Sequence, residues 1–210
     1  MKKMKLWMMA AILFCGASGM ISCTGNGNAN TNAEVEQADE DTVGFAEETG
    51  GYNVIPAVDQ YLVDSIGVQY TKGDVCIPCA TIVSSMPDKN PNIMKVLGDF
   101  WVFNFKVSGD TLKTVSGGDH PGMMCLHKGD DGIVKVISFE QVESGHGNEE
   151  SAKRIFGDMY EAFHGINSDE DTREQARAMC IAKYVKDHNL PVKYYQDYGW
   201  PAKEIPTTEN

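Results

Sequence analysis

The spacing of apolar positions along this chain changes twice, and each regime predicts a different kind of element. Between Val54 and Ile66 the apolar residues recur every three or four positions (Val54, Val58, Tyr61 and Leu62, with Ile55 and Ile66), the interval that keeps side chains on one face of an α-helix. Asn53 can cap that helix, Pro56 falls in its first turn, where a missing N–H is tolerated, and Gly67 closes it. After Gly73-Asp74, β-branched residues take over through Val83, and Phe100 to Val107 places Trp101, Phe103, Phe105 and Val107 on one face of a strand. Turns at Ser108-Gly109-Asp110 and Gly129-Asp130-Asp131-Gly132 separate further strands at Thr111 to Ser116, Met123 to His127 and Ile133 to Phe139. The middle of the chain therefore predicts an antiparallel meander of about five strands. Beyond Asn148 the helical period returns: Ala152, Ile155, Phe156, Met159, Tyr160 and Phe163 form one stripe, and Arg177, Cys180, Ile181, Tyr184, Val185 and His188 form a second. Acidic first turns follow Asn148 and Ser168, and Asn189 and Pro191 mark the end of the last helix.

The start of the chain has neither period. Lys2, Lys3 and Lys5 precede the apolar run Leu6 to Phe14, and small residues lead to Met20-Ile21-Ser22-Cys23. This is the layout of an export signal. The alternative, a retained anchor helix, has only the uncharged stretch Leu6 to Ser22 to cross a bilayer, at the short limit of about 17–25 residues. The order large apolar, apolar, small, Cys resembles the lipobox of bacterial lipoproteins, with Met20 where Leu is commonest. The resemblance implies cleavage before Cys23, a lipid on its thiol and a mature protein anchored in a bacterial cell envelope. Thr24, in the place where Asp directs retention in well-studied lipoproteins, suits outer-membrane sorting by the same analogy.

Residues 1–22 thus read as signal peptide and 23–51 as a lipidated tether. The tether is rich in Asn and Gly, carries seven acids and has no Lys or Arg. It has too little apolar surface to fold; its root-mean-square reach is roughly 30 Å. Residues 52–210 read as one α+β domain: an N-terminal helix packed on the meander, with two added C-terminal helices. A helix lying in the curve of an antiparallel sheet resembles the cystatin-like and NTF2-like folds.

Charge narrows the partners. The full chain carries 18 Lys+Arg against 30 Asp+Glu, and removal of residues 1–22 takes away three of the lysines and no acid. Phosphate neutralisation, which dominates nucleic-acid binding, is not available to such a surface.

Candidate chemistry is sparse. Cys76, Cys79, Cys125 and Cys180 are disulfide candidates in an oxidising envelope, with the connectivity open. Cys76-Ile77-Pro78-Cys79 has the CxxC spacing of thiol oxidoreductases, but a β-branched stretch follows where a helix is needed. The cysteines with His120, His127 and His146 lack metal-ligand spacing, so no metal and no cofactor is expected. Ser116-Gly117-Gly118-Asp119-His120-Pro121-Gly122 reads as a Gly-rich connection between two strands. In it Asp119 could orient His120 for general-base work, the basis of an alternative reading as a hydrolase-like enzyme. Trp101, Tyr195 and Trp200 are candidates for an aromatic ligand-binding surface beside Asp119 and His120. Gln141-Val142-Glu143-Ser144-Gly145 has the outline of the cystatin inhibitory hairpin, with Glu143 in the place of its central Val.

Five segments carry a wider resemblance: Gly98-Asp-Phe-Trp-Val-Phe-Asn104 with Gly109-Asp-Thr-Leu112, Ser116 to Gly122, Ile155-Phe-Gly-Asp158, and Tyr195-Gln-Asp-Tyr-Gly-Trp200. They resemble uncharacterised secreted lipoproteins of gut anaerobic bacteria. That resemblance implies export and a compact α+β domain, and supplies no catalytic residue. The sequence is accordingly read as a lipid-anchored, non-catalytic domain that binds a small ligand or an envelope protein.

Overall fold

A computed structural model describes residues 53–207. The expected export signal, the expected lipidation site Cys23 and the expected tether lie outside the described residues. The fold is α+β, built on a mixed seven-stranded sheet. Strands β1 (Val75–Pro87), β2 (Ile93–Ser108), β3 (Thr111–Asp119), β4 (Gly122–Lys128) and β5 (Val134–Gln141) pair antiparallel, but not as the expected meander: β3 and β4 both pair with β2 and not with each other, and β5 pairs with β4; β6 (Tyr194–Gln196) joins β3 in parallel, and β7 (Lys203–Glu204) pairs antiparallel with β6.

The long strand β2 organises everything else. Along one edge it pairs with β1 from Val75↔Phe105 to Pro87↔Met94, with a bulge between Ile82 and Ser84. Along the other edge it pairs first with β4 and then with β3. Trp101↔Asp119 and Gly98↔Gly122 share one register, and the His120 N–H donates to the Phe100 carbonyl at 2.7 Å. β3 and β4 are therefore two halves of one nearly continuous strand. This corrects the expectation of a Gly-rich connection between two separate strands. The glycines serve close approach: a Cβ on Gly118 would stand 2.4 Å from the Tyr70 hydroxyl, and one on Gly122 would stand 2.3 Å from the Glu140 carbonyl oxygen.

Because side chains alternate across a strand, β2 divides its residues between two cores. Met94, Val96, Phe100 and Val102 face α1 (Ile55–Tyr61) and its π-helical continuation Leu62–Ile66, where Val54, Val58, Leu62 and Ile66 are buried against them. Leu97, Phe103 and Phe105 face the opposite way. There α2 (Asn148–Phe156) covers the β4 end, α3 (Tyr160–Ser168) lies over β2, and α4 (Glu170–Asp187) packs on β1.

Helices thus cover both faces of the sheet, and two C-terminal helices become three segments. The stripe from Ala152 to Phe163 is broken at Gly157, which takes a positive φ of 52°, so Phe156 and Phe163 end α2 and fill α3 and stack at 4.0 Å between ring centroids. α4 is capped by Asp169, whose carboxylate accepts from the N–H groups of Asp171 and Thr172 (3.0 and 3.2 Å), one residue later than the Ser168 expected from sequence. It ends before Asn189, which takes a positive φ of 50°.

Candidate functional site

Between α4, the end of α3 and the sheet lies a cavity of about 460 Å³, within the range of roughly 300–1,000 Å³ usual for small-ligand sites. Its floor is β1 and β2, which contribute Cys79, Thr81, Asp99, Trp101 and Phe103. Its wall is the face of α4 carrying Glu170, Arg173, Glu174 and Arg177. Tyr195 and Asp197 close one end, and Trp200 stands at the mouth, 70% exposed.

Two covalent and electrostatic clamps hold the wall against the floor. Cys79 on β1 is disulfide-bonded to Cys180 on α4. Arg177 donates from both terminal nitrogens to the Asp197 carboxylate at 2.7 Å and from one of them to Thr114 at 3.2 Å, while Thr114 donates to Asp197 at 2.6 Å. A fork-to-carboxylate geometry is the strong form of an ion pair. The Arg177 hydrogen bonds hold the Asp197 carboxyl below its ordinary value. The same guanidinium lies over Phe103 (4.6 Å to the centroid) and Tyr195 (5.4 Å). Tyr195, 3% exposed, donates its hydroxyl proton to Glu174 at 2.7 Å, and Lys203 pairs with the same oxygen at 2.8 Å. Burial pushes the Tyr195 hydroxyl up, and the Glu174 hydrogen bond adds to it.

Asp99 differs from these groups. It is 1% exposed, and its Oδ2 accepts from the Trp101 indole N–H at 3.0 Å and the Asn167 amide at 3.3 Å, while Oδ1 is buried with no partner. Burial pushes the carboxyl above its ordinary value; the Trp101 and Asn167 hydrogen bonds and the charge of Arg173 pull against that. The Arg173 Nε and the Arg177 Nε are likewise buried and unpaired. Buried polar atoms are nearly always satisfied; among the described residues three unpaired ones, Asp99 Oδ1, Arg173 Nε and Arg177 Nε, belong to residues that line this cavity, and a fourth, His120 Nδ1, lies away from it.

The structure brings together Trp101, Tyr195 and Trp200 of the sequence candidates, and separates Asp119 from His120. Neighbours on one strand point to opposite faces. Asp119 is exposed on the Trp101 side, whereas His120 faces the α1 side, where its Nε2 lies 2.9 Å from the Tyr70 hydroxyl. Asp119 makes no hydrogen bond to the imidazole, so the sequence-adjacent pair does not form an acid–base unit. Cys76 and Cys125 are free thiols. Burial pushes the Cys76 thiol up, the opposite of what a reactive thiolate requires, and its CxxC partner Cys79 is engaged with Cys180. Among the described residues no group of three or more His, Cys, Asp or Glu side chains could hold a metal ion. Val142 is buried and the Glu143 N–H donates to the Ser151 hydroxyl at 2.9 Å, which fastens the Gln141–Gly145 segment to α2.

Sequence reasoning missed Asp99 and Arg173. Asp99 had a signal: it is the one charged residue between Val96 and Asn104, inside a run that reads as a buried strand. Arg173 had none, since a basic residue early in a helix is ordinary. No family model matches the chain, and comparison with curated proteins and with solved structures returned no match.

Proposed function

We propose that this chain is a lipid-anchored protein of a bacterial cell envelope, sorted to the outer membrane, whose domain binds a small ligand in the cavity beneath α4. The observation that carries the binding role is the buried, unpaired Oδ1 of Asp99 on the cavity floor. Leaving such an acceptor unmade costs about 1–3 kcal/mol, which a ligand donor would offset. Supporting it, the aromatic residues of the cavity are already held: Trp101 is tied to Asp99 and Tyr195 to Glu174 before any ligand arrives. The anchor rests on the Lys-rich start, the apolar run and Met20-Ile21-Ser22-Cys23. The likeness to secreted lipoproteins of gut anaerobes belongs to the same reading. The packing of α1 across the antiparallel strands supports a cystatin-like or NTF2-like reading of the fold, with α2 to α4 added on the opposite face.

The cavity is tested by screening a library of small-molecule fragments against the full-length chain by NMR. Hits that shift the Trp101 indole N–H more than signals elsewhere are expected, and a library without one overturns the binding role. The anchor is tested by palmitate-analogue labelling in a Gram-negative host. The label and membrane association should both be lost in Cys23→Ala; label retained in that variant overturns the assignment.

A further inference from the structure

The cavity's chemistry narrows its ligand beyond the small-molecule role on which this inference rests. Its stacking surface is the Trp101 ring, held rigid because Phe103 stacks on it with centroids 5.6 Å apart and planes 12° from parallel. The Trp101 indole N–H is fixed by Asp99, and Arg177 backs the Phe103 ring. A flat, preorganised aromatic face costs no side-chain ordering on binding. It matches a ligand that is itself flat on one side and carries C–H groups there.

Polar groups beside the platform set the second requirement. Asp99 offers one buried acceptor, and Arg173 and Arg177 one buried donor each, none satisfied within the protein. A hydroxyl group is both donor and acceptor, so neighbouring hydroxyls meet both needs.

Charge sets the third. Arg177 is neutralised by Asp197, and Lys203 by Glu174. Among the described residues that line the cavity, only Arg173 is left as a cation without an ion pair, and its charge acts on Asp99. An anionic ligand would leave the buried Asp99 uncompensated, and a cationic one would compete with Arg173 for it. A ligand with no net charge disturbs neither.

The space also continues. An adjoining groove of about 280 Å³ shares Trp101, Phe103, Arg177 and Asp197 with the cavity and runs over Gly117 and Gly118 of β3. At the other end the exposed Trp200 offers a second aromatic face.

We infer that the cavity is a saccharide site: a neutral pyranose ring stacks on Trp101, its adjacent hydroxyls bridge Asp99 and Arg173, and a second sugar unit extends along the groove or onto Trp200. The test titrates the full-length chain with methyl glycosides of glucose, galactose, mannose and N-acetylglucosamine, and with maltose, cellobiose and diacetylchitobiose. Glucuronate, leucine and lysine serve as charged comparisons, and the readouts are the Trp101 indole N–H signal and calorimetry. At least one neutral sugar should bind saturably and shift that signal, with a disaccharide tighter than its monosaccharide. Asp99→Asn should weaken binding at least tenfold, and Trp200→Ala, on an exposed side chain whose loss leaves folding intact, three- to tenfold. Preference for glucuronate or for an amino acid overturns the inference, as does sugar binding that neither variant weakens. If no sugar binds while fragments still shift Trp101, the saccharide assignment fails and the cavity's binding role stands; if nothing shifts Trp101, both fail.

Discussion

The two faces of the sheet are made from the same strands and both hold a buried core, but one of them also opens into a cavity. On the α1 face, Met94, Val96, Phe100 and Val102 of β2 are buried against one short helix, and Phe100 packs edge-on to Phe139 at 5.8 Å. The other face carries Asp99, Trp101, a disulfide and the Arg177 network in and around an open cavity. The α1 side holds one packed core, whereas the other side sets the cavity between packed clusters around Phe105 and Leu97. Phe100 and Trp101, adjacent in sequence, belong to different systems because side chains alternate across a strand.

The sharpest way to break this comparison is Phe100→Ala. A fully buried ring is removed from a packed core, and denaturant unfolding should show a loss of about 3–5 kcal/mol. A loss below about 1 kcal/mol would mean that the α1 face is not a packed core.

Next comes the covalent clamp. Cys79 and Cys180 are separated by 101 positions, and closing so long a loop restricts the unfolded chain enough to contribute about 2–4 kcal/mol. Cys180→Ser should lower stability by that amount and also loosen ligand binding, because α4 carries the cavity wall. Equal affinity in the variant would separate the clamp from the site.

Trp101→Ala sharpens the contrast with its neighbour. The indole is half-buried beside empty space, so its removal should cost only about 1–2 kcal/mol while abolishing the indole-linked response to ligand. A destabilisation as large as that of Phe100→Ala would make Trp101 a core residue instead.

The smallest effect has the opposite sign. Burial pushes the Asp59 carboxyl on α1 up to about 6, against the partial offset of Lys183. A carboxyl raised in the folded state holds its proton longer there than in the unfolded chain, so stability falls as pH rises from about 4 through about 6 and the penalty persists above. Asp59→Asn should therefore stabilise the protein by about 1–2 kcal/mol at pH 7, discounted for partial exposure, and change little at pH 4. Thermal unfolding at the two pH values checks it, and a uniform shift at both would show that ionisation is not the cause.

Much of the local architecture was legible because periodicity is a local property. The helical stripe from Val54, the strand at Phe100 to Val107, the turn at Gly109 and the stop at Asn189 all rest on residues within a few positions of one another. The Gly-rich segment misled because glycines beside a proline have the composition of a turn; their purpose here is to admit Tyr70 and the β5 backbone to within contact of a strand, and both neighbours are distant in sequence. The same limit hid the site. Asp119 and His120 looked like a pair because they adjoin, yet strand geometry sends them apart, whereas Asp99, Arg173 and Trp200 converge from three elements.

The sequence by itself determined the order and type of most elements, the alternation that splits β2 between two faces, and an unexplained acid in an apolar run. Only the tertiary structure decided which cysteine meets Cys180, that helices cover both faces, and that Asp99 and Arg173 line one cavity with an unpaired atom each. Secondary structure follows from neighbours along the chain, but a binding site is a coincidence of side chains brought together by strand pairing and helix packing, and no local pattern records those distances.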